Sequence, residues 1–111
     1  MLLKSWFGRH RRARLVAELS QQVAEGSHNA VWTKVRDRVA SMRLAEARGY
    51  VRARAVSSIA DEADRMLCLS GLIDRGVRSQ IIEEATDRVV TLVFRDLLNL
   101  PPRLRTVRRA A

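Results

Sequence analysis

Only one pair of residues in this chain has a spacing that suggests metal chemistry. Glu25 and His28 match the Glu-x-x-His spacing that supplies two ligands to di-iron sites in helical bundles. A metal site typically needs three or four converging ligands, and the only other histidine is His10. Gly26 and Ser27 also predict a helix break between the two ligands. We therefore expect no metal site and no cofactor.

The other nucleophile and acid candidates have no suitable neighbours in the sequence. Cys68 lies in the apolar run 66–69, which predicts a buried, unreactive thiol. The acidic clusters on the predicted helices are expected to face solvent, and they are Asp61, Glu62, Asp64, Glu83, Glu84 and Asp87. No glycine-rich phosphate loop, zinc-finger spacing or Ser/His/Asp pairing occurs. The sequence thus predicts no catalytic residue, and an enzyme is the class we expect least.

The excess charge of the chain lies at its two ends. The net charge is +9; residues 1–14 hold five basic residues and residues 100–111 hold four, with no acid in either. Residues 15–99 hold twelve basic and twelve acidic residues, so they are neutral. We interpret residues 1–10 and 101–111 as basic arms of a single helical domain over residues 1–111.

These arms are the predicted binding site for an anionic partner. The arginines expected to contact it are Arg9, Arg11, Arg12, Arg14, Arg103, Arg105, Arg108 and Arg109. Phosphate backbones and anionic lipid headgroups are surfaces that such arms bind. The alternative is that the arms are solvated tails that only raise solubility.

The apolar pattern predicts an all-α fold of three helices. With two prolines and five glycines, the chain has few turn signals. The first helix is predicted over residues 11–25, the second over 30–69 and the third over 77–99, ended by Pro101. The third helix has a broad apolar face that should contact two neighbours, formed by Ile81, Ile82, Ala85, Val89, Val90, Leu92, Val93, Phe94 and Leu97.

The second predicted helix leads to a prediction about assembly. Residues 30–69 without a break would be about 60 Å long, whereas a compact chain of this length is about 34 Å across. Either the helix bends near Gly49, or the three-helix bundle is elongated, spanned by one long central helix, and completed by homodimerisation. We favour the dimer, because Ala45, Gly49 and Ala53 form a dimer seam of small side chains that another helix can approach closely.

Basic residues flank that seam in two predicted rows. One row is Lys34, Arg38, Arg48 and Arg52, and the other is Arg36, Arg43 and Arg54. We favour ion pairs with acidic residues of the same chain over a basic groove for nucleic acid. Trp32 and Tyr50 are expected in the core rather than stacked on bases.

Together these observations predict a cytoplasmic, non-enzymatic helical interaction or scaffold protein. It would act as a homodimer whose basic termini dock on an acidic partner. One alternative is a nucleic-acid-binding helical dimer. Another is a peripheral membrane protein anchored by its N-terminus, where Leu2, Leu3, Trp6 and Phe7 precede the arginines; we favour instead that Trp6 and Phe7 fold back to cap the bundle. No small-molecule substrate is evident, and the single cysteine and the lack of a signal segment suggest the cytoplasm.

Overall fold

Three helices packed against one another form the structure. The computed structural model describes residues 2–71 and 75–100, with residues 2–7 described by their backbone alone. The helices are α1 (Leu2–Val39), α2 (Leu44–Ser70) and α3 (Arg75–Leu98), and each contacts the other two. These described residues contain no strand, so the all-α prediction is confirmed.

The first predicted helix boundary is wrong, because α1 does not end at Gly26. The helix begins at Leu2 rather than near residue 11, and it continues through Gly26 to Val39. A glycine inside a helix costs only about 1 kcal/mol relative to alanine. Buried side chains on both sides of it, Val23 and Val31, offset that cost through their contacts with the core.

The second predicted helix, over residues 30–69, is also wrong. A turn at residues 40–43 separates α1 from α2, and it contains neither glycine nor proline. The Ser41 amide donates to the Arg38 carbonyl at 3.2 Å, and the Ser41 hydroxyl donates to the same carbonyl at 3.0 Å. This side chain therefore satisfies a carbonyl that the helix end leaves without an intrahelical partner. The turn lets α2 fold back along α1, whereas Gly49 lies inside a continuous α2.

One row of buried side chains, spaced every four residues, occurs in all three helices, and α1 and α3 bury further residues beside it. The rows are Val23, Ser27, Val31, Val35 and Val39 in α1; Ala47, Val51, Ala55, Ile59, Ala63 and Leu67 in α2; Val77, Ile81, Ala85, Val89, Val93 and Leu97 in α3. Rows of this kind are inclined to the helix axis by about 26°. Because most of these side chains are valine or alanine, the helix backbones can pack closely.

The third predicted helix is confirmed to within two residues at each end. α2 ends just before it, within one residue of the predicted end at residue 69. Gly71 follows in the left-handed conformation with φ 70°, and its amide donates to the Cys68 carbonyl at 3.2 Å. Trp32 and Tyr50 pack against the core as expected. Cys68 is exposed, so its predicted burial is wrong. It follows Leu67, which takes the inward position of the four-residue spacing.

No helix in the described part of the chain combines the length and the apolar character needed to cross a bilayer.

Candidate anionic-partner interface

The N-terminal part of α1 lies ahead of the first buried residue of that helix. The helix has 38 residues, against 27 in α2, which runs back along it. Residues 8–14 are all exposed, and Val16 is the first buried residue of the chain with a described side chain. We call residues 8–14 the basic extension, and residues 15–71 with 75–100 the helical body.

Cationic side chains surround the basic extension on every side. At about 100° per residue, its arginines lie at roughly 0°, 140°, 200° and 300° around the axis, in the order Arg9, Arg14, Arg11 and Arg12. The largest angular gap between neighbouring arginines lies between Arg9 and Arg14 and is about 140° wide. His10 lies within it. The other two residues are Gly8 and Ala13, so the extension has neither an acidic residue nor an apolar face.

The predicted anion-binding arginines therefore have two different outcomes. Arg9, Arg11, Arg12 and Arg14 are brought together on one exposed helix, which sequence reasoning had placed partly in an arm outside the first helix. The backbone is helical from Leu2, but the predicted cap by Trp6 and Phe7 concerns side chains that lie outside the described residues. The side chains of residues 2–7 and the second predicted arm, with Arg103, Arg105, Arg108 and Arg109, lie outside the described residues.

The helical body pairs many of its own charges across helices. Arg78 of α3 donates to Asp64 of α2 at 2.6 Å, and Arg52 of α2 donates to Asp87 of α3. The hydrogen bond from Arg78 and its positive charge lower the pKa of Asp64, and the same contact raises the pKa of Arg78. Because these pairs are exposed to water, they contribute little to the free energy of unfolding. Their main effect is to fix the register of α2 against α3.

The two predicted basic rows do not form continuous surfaces, because the turn at residues 40–43 interrupts them. Their members instead make separate local contacts. Lys34 donates to the Ser58 hydroxyl at 2.9 Å, and the Arg48 guanidinium lies 5.8 Å from the centre of the Phe94 ring. Arg54 lies 5.4 Å from the Tyr50 ring in the same way. The favoured prediction of ion pairs within the chain is met across helices by Arg52, which pairs with Asp87, whereas the three residues above contact a hydroxyl group or an aromatic ring instead of an acid.

Glu25 and His28 lie on one continuous helix, contrary to the predicted break, yet they serve different contacts. His28 Nε2 is 2.6 Å from Asp96 Oδ2 of α3, while Glu25 accepts a hydrogen bond from Gln21 at 3.2 Å. Among the described residues, no three His, Cys, Asp or Glu side chains converge as metal ligands would. The sequence did not indicate the His28–Asp96 contact, because 68 positions separate the two residues.

An open groove of about 420 Å³ lies between α1 and α3, and Glu25 is one of its lining residues. Its lining residues are Gln21, Ala24, Glu25, Asp87, Arg88, Thr91 and Leu92. Both of its carboxylates already have partners, since Glu25 accepts from Gln21 and Asp87 accepts from Arg52.

The predicted dimer seam lies on the outer surface of α2. Ala45, Gly49 and Ala53 are all exposed, and Val56 continues them with 44% of its surface exposed. A Cβ atom added at Gly49 would meet nothing within 4 Å. A second helix can therefore reach this face without displacing any described side chain of the same chain.

No protein-family model matches this sequence, and no curated protein and no solved structure is detectably similar to it.

Proposed function

We propose that this protein is a non-enzymatic helical interaction protein that docks on an acidic partner through its basic extension. The observation that supports the proposal is the concentration of four exposed arginines, without an acid, on the part of α1 that precedes its first buried residue. Residues 15–99 as a whole are neutral in sequence. Among the described residues, the basic extension is therefore the part that an approaching anion attracts most strongly.

A comparison of two charge-matched variants on a sulfated polyanion column tests this proposal. The extension variant replaces Arg9, Arg11, Arg12 and Arg14 with glutamine. The control replaces four exposed body arginines with glutamine, Arg36, Arg38, Arg43 and Arg54. Both lose the same formal charge, and glutamine preserves helix propensity. The extension variant should elute at clearly lower salt than the control; equal elution of the two would contradict the proposal.

We further propose that the protein acts as an elongated homodimer joined along the α2 seam. The dimensions of 61 × 26 × 19 Å support an elongated shape. The exposed small residues and the open space at Gly49 support a close helix contact there. An antiparallel arrangement keeps like-charged arginines beside the seam apart, as it does in coiled coils with charged flanks.

Sedimentation equilibrium of a Gly49→Leu variant tests the dimer. Because nothing lies within 4 Å of this position in the chain, the added side chain causes no clash in a single copy. It would hold two seams apart, so association should weaken. Ala17→Leu, at an exposed position of α1, is the matched control and should associate like the wild type. A wild-type mass of 12.6 kDa at micromolar concentration would rule out the dimer.

A membrane-docked protein is the second candidate function. The supporting observation is that Leu2, Leu3, Trp6 and Phe7 precede the extension on the same continuous helix. Apolar insertion next to basic residues is how interfacial helices bind anionic bilayers. In a Trp32→Phe background, Trp6 emission should shift to the blue on adding anionic vesicles; an unchanged spectrum would contradict this function.

A further inference from the structure

We propose that the acidic partner is duplex DNA and that the basic extension enters its major groove. This inference rests on the proposed function, namely that the extension is the docking element. It is carried by the distribution of the arginine side chains around two turns of an exposed helix and by the absence of an apolar face among residues 8–14.

The arrangement of charge distinguishes a groove from a flat surface. A helix that lies on a bilayer presents one apolar face to the lipid and places its cations on the other. The extension has a cation on every side, so a flat surface would contact some arginines and leave the others in solvent. A groove bounded by two phosphate strands places negative charge on both sides of an inserted helix.

The dimensions of the extension fit B-form DNA. An α-helix with its side chains is about 10–12 Å in diameter, and the major groove is about 12 Å wide and 8.5 Å deep. The extension is about 10 Å long, and all of its residues are exposed. It can therefore contact the groove while the buried part of α1, from Val16 onward, stays outside. The major groove of duplex RNA is too narrow and deep to admit a helix, so the geometry also predicts selectivity for DNA over RNA.

Equilibrium binding of the full chain to four probes tests the inference. The probes are a short DNA duplex, the RNA duplex of the same sequence, the DNA duplex with bulky groups on C5 of its pyrimidines, and vesicles containing phosphatidylserine. The C5 groups occupy the major groove without changing the phosphates. The wild type should bind the unmodified DNA about tenfold or more tightly than either the blocked DNA or the RNA, given the energy of several lost phosphate contacts.

The salt dependence identifies the contacts. Each neutralised phosphate contributes about 0.9 to the slope of log affinity against log salt, so removing the four arginines should reduce that slope by about 3 to 4. The control variant at Arg36, Arg38, Arg43 and Arg54 should keep most of the wild-type slope of log affinity against log salt. Circular dichroism of both variants shows whether the helices are intact.

The outcomes separate this inference from the function on which it rests. Equal binding to open and blocked DNA, equal binding to DNA and RNA, or binding to vesicles alone would each overturn groove insertion. If the extension variant still elutes early from the polyanion column in that case, docking through the extension stands and only the identity of the partner is wrong. If the two variants elute together, the proposed function fails as well.

Discussion

The helical body and the basic extension share one continuous helix but are built on opposite patterns. From Val16 onward α1 places a buried side chain toward α2 and α3 at nearly every turn, and residues 15–99 carry equal numbers of acids and bases. In residues 8–14 every side chain is exposed and every ionised one is positive. Burial therefore distinguishes the body and charge distinguishes the extension, so mutation should change the stability of the first and the electrostatics of the second independently.

The largest expected difference between the body and the extension is the effect of a mutation on the free energy of unfolding. Ile59 is fully buried in α2, and Ile59→Ala should lower the free energy of unfolding by about 2–4 kcal/mol, since it removes apolar contacts and leaves a cavity. Replacing all four extension arginines with glutamine should change it by less than about 0.5 kcal/mol, as exposed substitutions do. Urea unfolding measures both. A loss of stability in the arginine variant comparable to that of Ile59→Ala would show that the two regions are not independent.

The next effect concerns the contact that joins α1 to α3. The side chains of His28 and Asp96 are 17% and 28% exposed, so their hydrogen bond is only partly screened by water. A double-mutant cycle with His28→Ala and Asp96→Asn should give a coupling energy of about 1 kcal/mol. Neither change should alter retention on the polyanion column. A coupling near zero would mean that the 2.6 Å contact does not help to hold the body together.

A pair of glycine substitutions compares the backbone of the two regions. Gly71 has a positive φ, so Gly71→Ala should destabilise the body by about 1 kcal/mol. Gly8 lies in an exposed helix with nothing within 4 Å of an added Cβ. Gly8→Ala should therefore raise the helical signal in circular dichroism, while the unfolding midpoint stays unchanged. A shift of that midpoint would show that the extension unfolds together with the body.

The smallest effect is a pH dependence on the surface of the body. Arg78 lowers the pKa of Asp64 below its unfolded value, so this pair stabilises the fold at pH values above about 4 and the contribution is lost as the pH falls through the lowered pKa. In Arg78→Gln the pKa of Asp64 should rise toward its ordinary value. NMR titration of the Asp64 carboxyl carbon measures this, and an unchanged midpoint would contradict the role of Arg78.

Sequence reasoning located the third helix and the end of the second correctly. Each has a local signal that no long-range contact overrides: Pro101 follows the broad apolar face of α3, and Gly71 adopts the left-handed conformation that few other residues tolerate. The break at Gly26 was predicted from an equally local signal and was wrong. There the cost of one glycine is smaller than the energy of burying the side chains on both sides of it.

The turn at residues 40–43 did have a signal, although not a turn residue. The four-residue spacing that ends with Val39 in α1 resumes with Ala47 in α2, and the position between them is Arg43. A charged residue at that point of an otherwise apolar series indicates that the series leaves the core there. If spacings of either three or four residues are accepted, the apolar series can be traced without a break, because an apolar neighbour can be counted in place of Arg43. The turn is then missed.

The candidate site was predictable in composition but not in geometry. The concentration of arginines near the N-terminus is visible in the sequence, whereas the continuity of α1 through Gly26 depends on the burial of its side chains between Val16 and Val39. The contact between His28 and Asp96 could not be predicted, because only the packing of α1 against α3 brings the two together.

The continuity of α1 has a consequence for how the extension keeps its shape. Starting a helix is unfavourable, because several residues must be ordered before the first hydrogen bond forms, whereas lengthening an existing helix is nearly neutral in free energy. The body holds residues 16–39 as a helix through burial, so the extension grows from a nucleus that already exists. An isolated peptide of residues 1–15 should therefore be mostly coil, although residues 2–15 are helical when they precede Val16. The core thus orders the backbone that carries the arginines, and an anion of the proposed kind would bind them at a lower cost in conformational entropy.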